Sequence, residues 1–310
     1  MPKTLSTLDQ SASSRRRLPD WFKVKSPGSA NYISLKRLAA SNHLNTVCQS
    51  AGCPNITECW ERREATFMIL GDVCTRSCGF CLVRTGRPSR KDTQEPQRVA
   101  DAVAELSLRH ATVTSVNRDE LSDGGAFQFA ETVQLIHDHC PETDVEVLIP
   151  DFGGLSDALE TVLKANPEVL AHNIETVPKL YSNVRPQADY AQSLAILTRS
   201  KSRGSVTKTG IMVGLGEKLT EVHEVLGDLA SLECDILTIG QYLQPSRKHL
   251  PIQRFYTPDE FVNLKIIGEK LGITHIQSGP LVRSSYRAGE QLEAVRKKVS
   301  GDSGVAGRTS

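Results

Sequence analysis

Six short apolar segments recur along the chain with helix-like stretches between them, and this alternation limits the folds that are open to it. The segments span 66–71, 111–116, 145–150, 169–172, 206–213 and 235–239. Pro96 opens one of the intervening helices, with Val99, Val103 and Leu106 on one face. Strands that alternate with helices form a parallel sheet with crossover helices. We therefore predict an α/β fold, a partial (β/α)6 barrel of the TIM type, because six units are too few to close an eightfold barrel.

The same pattern suggests how the chain is divided. We predict a disordered tail over 1–20, an N-terminal extension that wraps the core over 21–65, the barrel over 66–280, and a C-terminal extension over 281–310. Within the barrel, Thr257-Pro258-Asp259-Glu260 is a capping box with proline at the first helical position.

Composition excludes several classes of protein. The 310 residues carry a net charge of only +1, which gives no overall basic field for nucleic acid. No stretch reaches the roughly 18 apolar residues of a membrane span, and the first residues lack the apolar core of a secretory signal. We therefore expect a cytoplasmic, reducing location, where clustered cysteines are more often metal ligands or catalytic thiols than disulfides.

Six of the eight cysteines fall into two triplets close together in the chain. The first is Cys48-x4-Cys53-x5-Cys59, and the second is Cys74-x3-Cys78-x2-Cys81. Thiolates select zinc or iron–sulfur clusters. A structural zinc site needs four ligands, usually as paired cysteines, and no matching second pair exists. Two groups of three instead indicate two iron–sulfur clusters, each with one iron that no cysteine holds.

The remaining candidates are interpreted conservatively. Cys140 and Cys234 are isolated, and we expect them to be ordinary buried residues. His137 and His139 are two residues apart on a predicted helix, so their side chains should point to different faces.

Residues 72–81, with the sequence DVCTRSCGFC, resemble the signature of radical S-adenosylmethionine (SAM) enzymes. The resemblance implies that Cys74, Cys78 and Cys81 hold a 4Fe–4S cluster whose fourth iron binds SAM, and that cleavage of SAM yields a 5′-deoxyadenosyl radical. Gly79 relaxes the backbone where the loop approaches the cluster. Phe80 would shield the cluster or an adenine, although a packing role is equally compatible.

The first triplet makes the likeness more specific, because its spacing upstream of the second resembles the lipoyl synthase family. Further segments agree with that family, and the likeness covers about residues 20–295: 51–55 (AGCPN), 113–116 (VTSV) with 123–125 (DGG), 171–177 (AHNIETV) and 279–286 (GPLVRSSY). One departure is 117–120 (NRDE), where the family more often has Asp-Arg-Asp-Asp.

This resemblance implies a function. The family inserts two sulfur atoms at C6 and C8 of a protein-bound octanoyl chain, which gives the lipoyl group. It implies a second 4Fe–4S cluster on Cys48, Cys53 and Cys59, with Ser285 as the fourth ligand, and it makes this auxiliary cluster the sulfur source. Without the resemblance, residues 283–286 would be interpreted as a helix N-cap.

The SAM contacts are inferred by analogy with the superfamily. Asn173 and Glu175 follow the fourth predicted strand and suit the amino and ribose groups of SAM. Gly214 belongs to a glycine-containing segment that begins in the fifth strand and continues past it, 210–217 (GIMVGLGE). The analogy implies that this segment passes close to the adenine. A plain strand-to-helix turn has the same composition.

The implied partners are octanoylated lipoyl domains or the glycine-cleavage H protein, with a ferredoxin or flavodoxin as electron donor. A basic C-terminal stretch could meet an acidic carrier or simply be solvated; it contains Arg287, Arg296, Lys297 and Lys298. The alternatives are another sulfur-inserting radical SAM enzyme (biotin synthase-like or methylthiolating), an electron-transfer protein with two clusters, and a zinc-binding interaction module.

Overall fold

The computed structural model describes residues 18–23 and 28–305, with no side-chain description after 301. Residues 1–17 of the predicted tail and the last five residues of the C-terminal extension lie outside this part of the chain. The strands are β1 Asn45–Thr46, β2 Thr66–Ile69, β3 Val73–Cys74, β4 Arg84–Thr85, β5 His110–Ser115, β6 Asp144–Leu148, β7 Val169–Ala171, β8 Val206–Val213, β9 Ile236–Gln241 and β10 His275–Gly279.

Helices follow most of these strands. They are α1 Ala30–Ser41, α2 Val47–Ser50, α3 Ile56–Glu61, α4 Glu95–Leu106, α5 Ala126–His139, α6 Ser156–Lys164, α7 Tyr181–Val184, α8 Tyr190–Ser202, α9 Leu219–Ser231, α10 Pro258–Leu271 and α11 Ala288–Val305. Short 3-10 turns cover Phe152–Gly154 and Pro178–Leu180. The predicted capping box is confirmed at α10, where Thr257 accepts a hydrogen bond from the Glu260 amide at 3.3 Å and Pro258 takes the first helical position.

The main sheet has eight strands in the order β1-β2-β5-β6-β7-β8-β9-β10. All neighbours from β2 to β10 pair in parallel, and β1 is antiparallel to β2. No pairing joins β10 to β2 within the described residues, so the barrel stays open on one side. The predicted partial barrel is therefore confirmed.

The structure adds a seventh parallel strand that the pattern did not predict. Strand β10 (HIQSG) has a single fully buried position, Ile276. Its sequence is polar because the strand lies at the open edge of the sheet, so it lacks the apolar run that marks a strand covered on both faces.

The sheet separates an apolar outer layer from a polar interior. Val145 and Val147 of β6 pack in the core beneath the helices, together with residues of α4, α5 and α6. Side chains alternate along a strand, so Glu146 between them points into the barrel. Glu146 is in register with Thr112 of β5. The interior thus carries polar groups.

The N-terminal extension contributes side chains to the apolar core. Leu35 and Leu38 of α1 belong to the main apolar core, so the extension, which was predicted to wrap the core, is also part of it. The apolar stripe of α1 is narrow, which made its periodicity weak. Two cysteines of the first triplet lie in short helices, Cys48 in α2 and Cys59 in α3.

The described helices include none that is both long enough and apolar enough to span a membrane.

Candidate functional site

The second cysteine triplet lies at the carboxyl end of β2, where parallel α/β sheets place their chemistry. Cys74 ends β3, and its sulfur accepts hydrogen bonds from the backbone amides of Arg76 at 3.4 Å and Asn117 at 3.3 Å. Asn117 follows β5, so the first cysteine is anchored to the neighbouring strand. Amide donors to sulfur are characteristic of cluster thiolates, whose potential they tune.

The rest of this loop is anchored from the far side of the barrel. The Gly79 amide donates to the Val184 carbonyl at 2.9 Å, and the Gly79 carbonyl accepts from the Leu250 amide at 3.0 Å. His249 Nε2 lies 2.9 Å from the Cys81 carbonyl oxygen. A side chain at Gly79 would come within 2.8 Å of Leu250, which explains the glycine.

Arg76, inside the motif, ties the loop to two strand ends. Its guanidinium donates to Asp151 at 2.6 and 2.7 Å and to Asp119 at 2.7, 3.0 and 3.1 Å. Burial alone would lower the pKa of Arg76, but the hydrogen bonds that it donates to Asp151 and Asp119 raise this pKa. The side chain therefore stays charged. Asp151 follows β6 and is almost wholly buried.

The thiols of the second triplet lie in a shared electrostatic environment. Burial raises the pKa of Cys81, and the neighbouring Cys78 and Cys74 add to this rise, which brings the pKa to about 11. Burial also raises the pKa of Cys78, which the positive charge of Arg185 partly offsets. Without bound iron, Cys78 and Cys81 therefore stay protonated near neutral pH, and a metal's charge is what would convert them to thiolates.

The first triplet lines one cavity together with the C-terminal extension. Cys48, Cys53, Cys59 and Ser285 all face this cavity, although Ser285 is more than 200 residues away in sequence. Burial raises the pKa of Cys48 to about 11 and also raises those of Cys53 and Cys59. After burial, the ionised forms of Cys48 and Cys53 contribute most to the raised pKa of Cys59.

Ser285 does not cap a helix. Helix α11 begins at Ala288, and Ser285 lies in the preceding turn. Its hydroxyl oxygen accepts a hydrogen bond from Thr66 Oγ1 at 2.8 Å. The N-cap interpretation of residues 283–286 is therefore wrong.

The two extensions contact each other across the open side of the barrel. Asn55 Nδ2 donates to the Leu281 carbonyl at 2.6 Å. Glu58 of α3 accepts from the Tyr286 hydroxyl at 3.0 Å and from Arg287 at 2.9 Å. We call these contacts the latch. The latch brings Ser285 to the first triplet.

A glycine in β9 lets the C-terminal extension enter the barrel. A Cβ at Gly240 would lie 2.1 Å from the Val282 carbonyl oxygen and 3.3 Å from the Arg283 guanidinium. Only a residue without a side chain permits this approach. Arg283 then lies within electrostatic reach of both Cys53 and Glu175.

The two triplets are also neighbours. A Cβ at Gly52, one residue before Cys53, would touch Leu82, one residue after Cys81. Thus the loops that carry the two sets of thiols lie against each other.

The residues expected to contact SAM lie at the carboxyl ends of β7 and β8. Asn173 Nδ2 donates to Glu175 Oε1 at 3.1 Å, while the Asn173 carbonyl oxygen Oδ1 is buried without a hydrogen-bond partner among the described residues. Burial raises the pKa of Glu175, and the charge of Arg185 opposes this. Glu175 adopts a φ of 65°, an unfavourable conformation for a glutamate, of the kind found at functional sites.

Gly214 and Phe80 complete the predicted set. Gly214 has a φ of 99°, and a Cβ there would lie 2.7 Å from the Arg254 carbonyl, so packing around it requires glycine. Phe80 packs against a small cluster formed by Val184, Leu215 and Tyr242.

Sequence reasoning missed three basic residues at this site. Arg185 donates to the main-chain carbonyl of Asn173 at 2.8 Å, Arg283 lies within electrostatic reach of Cys53 and Glu175, and His249 lies against the Cys81 carbonyl. Charged residues after strand ends were the available signal for Arg283, whereas Arg185 and His249 lie in segments without a distinguishing pattern.

The isolated candidates are largely as expected. Cys234 is buried, whereas Cys140 is only half-buried, so that part of the prediction is wrong. His137 lies 3.3 Å from Glu168 and His139 lies 3.7 Å from Asp101, which confirms that they face different ways. The described residues contain no group of three or more His, Cys, Asp or Glu that could hold a single metal ion.

Comparison with known proteins agrees with this geometry. Residues 68–229 match the radical SAM superfamily. The chain is 53% identical to the lipoyl synthase of Rubrobacter xylanophilus, over 94% of this chain and 91% of that protein. It is 54% identical to the lipoyl synthase of Symbiobacterium thermophilum, over 91% and 89%. With the lipoyl synthase of Mycobacterium bovis it shares 51% identity, over 90% of each.

Solved structures show the same fold at low sequence identity. Streptococcus suis SuiB bound to precursor peptide SuiA aligns with a TM-score of 0.56 and 9% identity, over 80% of this chain and 52% of that one. HydG, a maturase of the [FeFe]-hydrogenase, aligns with a TM-score of 0.55 and 15% identity, over 75% and 54%.

Proposed function

The chain belongs to the lipoyl synthase family of the radical SAM superfamily, and from this premise we propose how its residues divide the reaction. The enzyme is a sulfurtransferase that inserts two sulfur atoms at C6 and C8 of a protein-bound octanoyl-lysine. No acid–base residue can remove hydrogen from such unactivated carbons, so the cofactors supply the radical chemistry and the sulfur. The protein holds these groups, places the chain between them and excludes water.

We assign the SAM-binding 4Fe–4S cluster to Cys74, Cys78 and Cys81. Backbone amides hold the Cys74 sulfur, and Arg76 ties the loop to a strand end, so these contacts fix the first cysteine and its loop without any iron. Three cysteines leave one iron for the amino and carboxylate groups of SAM.

We assign a second, auxiliary 4Fe–4S cluster to Cys48, Cys53, Cys59 and Ser285. The observation that carries this assignment is that three thiols and one serine hydroxyl, drawn from opposite ends of the chain, line the same cavity. A serine oxygen is a harder ligand than a thiolate and suits iron–sulfur chemistry less well. A weak fourth ligand fits a cluster that must lose sulfur to the product.

SAM would then occupy the carboxyl ends of β7 and β8. The buried, unpartnered Oδ1 of Asn173 can accept from the amino group, and the Glu175 carboxyl can bind the ribose hydroxyls. The likeness to the superfamily places the adenine near the segment that contains Gly214, and Phe80 lies beside Cys81 where it can cover the cluster.

The partners follow from the substrate. The octanoyl chain arrives on a lipoyl domain or on the glycine-cleavage H protein, and an electron donor such as a ferredoxin or flavodoxin reduces the cluster. The basic C-terminal stretch is a weak candidate for carrier binding, because Arg287 pairs with Glu58 and Arg296 pairs with Asp144 within the chain.

Iron and sulfide analysis of anaerobically prepared protein tests the two-cluster assignment. We expect about eight iron and eight sulfide per chain, and about four of each after alanine replaces either cysteine triplet. The variant Cys140→Ala is the matched control and should keep the full content. Unchanged content without Cys48, Cys53 and Cys59 would refute the auxiliary site. Product analysis on an octanoylated lipoyl domain separates lipoyl synthesis from other radical sulfur insertions.

A further inference from the structure

A polar layer crosses the barrel interior beneath the proposed cluster sites. Lys208 of β8 has no exposed side-chain surface, and Glu146 of β6 is 1% exposed. The Lys208 ammonium donates to both oxygens of Glu146, at 2.8 and 2.9 Å. The pair is neutral as a whole, and both carboxylate oxygens already accept a strong hydrogen bond.

His110, the first residue of β5, lies next to this pair. Its Nε2 is 3.6 Å from Glu146 Oε2, which is too long for a hydrogen bond. The side chain is only 7% exposed. Neither ring nitrogen has a hydrogen-bond partner among the described residues. Buried polar groups are seldom left without partners, so this ring calls for an explanation.

The ring faces the cavity of the first cysteine triplet. His110 lines that cavity together with Cys48, Cys53, Cys59 and Ser285. On the other side, Gly289 of α11 leaves just enough room for the ring, since a Cβ there would lie 3.3 Å from the His110 Cβ. The helix that follows Ser285 therefore packs directly against His110.

We propose that His110 is a further residue of the auxiliary site, where its ring N–H donates a hydrogen bond to a sulfur of the bound cluster. Neutral or protonated, an imidazole carries at least one N–H. Glu146 does not use it, because the gap is too long. A cluster held by three thiolates offers sulfide and thiolate acceptors inside the same cavity.

The consequence is electrostatic. A hydrogen bond to sulfur stabilises the more negative, reduced state of a cluster and raises its reduction potential.

This inference rests on the proposed auxiliary cluster, so its test uses protein that contains that cluster alone. In a Cys74→Ala, Cys78→Ala, Cys81→Ala background, the probe is the reconstituted iron–sulfur cluster itself. His110→Leu removes the donor, and His110→Gln keeps an N–H. We expect the reduction potential to fall in His110→Leu and to stay close to that of the background protein in His110→Gln. An unchanged potential in His110→Leu, or an equal fall in both variants, overturns the inference.

Pulsed EPR of the reduced background protein, labelled with ¹⁵N-histidine, makes the test independent of whether the variants fold. A nitrogen coupling to the cluster spin supports the contact, and its absence overturns it. Failure of the background protein to take up about four iron per chain refutes the auxiliary cluster itself, which is a different outcome.

Discussion

Thr66 donates its hydroxyl hydrogen to Ser285 at 2.8 Å, and so joins the first residue of β2 to the turn before the last helix. Thr66 belongs to the opening strand of the barrel, while Ser285 follows the closing strand. The contact spans the open side of the sheet and holds the serine at the cysteine cavity. A ligand so far from its partners in sequence depends on such contacts for its position.

Replacing Ser285 with cysteine should keep the auxiliary cluster but suppress sulfur transfer. A thiolate binds iron more strongly than a serine oxygen does, so the cluster should resist the loss of iron and sulfur. Iron content and lipoyl product from an octanoylated domain are the measurements. Ser284→Cys, one residue away, is the control, and full activity in Ser285→Cys would contradict the idea.

Arg76→Met should destabilise the protein by about 3 kcal/mol, because it leaves the buried Asp151 without its cationic partner. Denaturant unfolding measures this change, and the iron held by the second triplet should fall with it. Arg84→Met removes an exposed pair with Asp72 and should cost less than about 1 kcal/mol. Equal effects of the two substitutions would argue against a special role for Arg76.

Gly240→Ala should displace the C-terminal extension, because the new methyl group would lie 2.1 Å from the Val282 carbonyl. We expect loss of about half of the iron, since Ser285 and Arg283 follow directly in the chain. Gly227→Ala in α9 is the matched control, because a Cβ there meets nothing within 4 Å. That change should be neutral or stabilise the helix by up to about 1 kcal/mol. Full iron content in Gly240→Ala would show that the extension can adjust.

Asn173→Ala and Glu175→Ala should each weaken SAM binding at least about tenfold, because each removes a polar contact proposed to be buried with the ligand. Isothermal titration of the cluster-loaded protein with SAM measures the affinity. The exposed Glu105→Ala in α4 serves as the control. Wild-type affinity in both site variants would remove these residues from the SAM site.

Stability should fall below neutral pH through His172. Burial lowers the pKa of His172 to about 4, with Arg185 adding to the effect, whereas a free histidine titrates near 6.5. Below pH 6.5 this histidine is protonated in the unfolded chain but stays neutral in the folded one. Its contribution to the free energy of unfolding is therefore fully present above pH 6.5 and declines from there towards pH 4. The full loss is about 3 kcal/mol. Urea unfolding at several pH values measures this loss when the protein is compared with His172→Gln. If the free energy of unfolding depends on pH in the same way in both proteins, the prediction is contradicted.

The partial barrel could be predicted from the sequence because six of its strands are apolar and evenly spaced. Strand β10 escaped prediction for the opposite reason, since only Ile276 is fully buried and the strand has an open edge beside it. Helix α1 was not predicted, because its core contacts come from a narrow stripe that includes Leu35 and Leu38.

The candidate site divides in the same way. Cysteine spacing is local, so both triplets could be recognised in the sequence. The closeness of Gly240 to Val282, the reach of Arg283 and the unpartnered ring of His110 are long-range relationships. Such relationships appear only once the chain has folded, because no short pattern of residues encodes them.

The latch also imposes an order on biosynthesis. The described hydrogen bonds that anchor Cys74 and its loop involve residues up to Leu250, whereas the cavity of Cys48 needs the turn at Ser285 and helix α11. A chain emerging from the ribosome can therefore shape its SAM-binding end first. The proposed auxiliary site must wait for the turn at Ser285 and helix α11, so truncation before Ser285 should yield a protein that lacks the proposed source of sulfur.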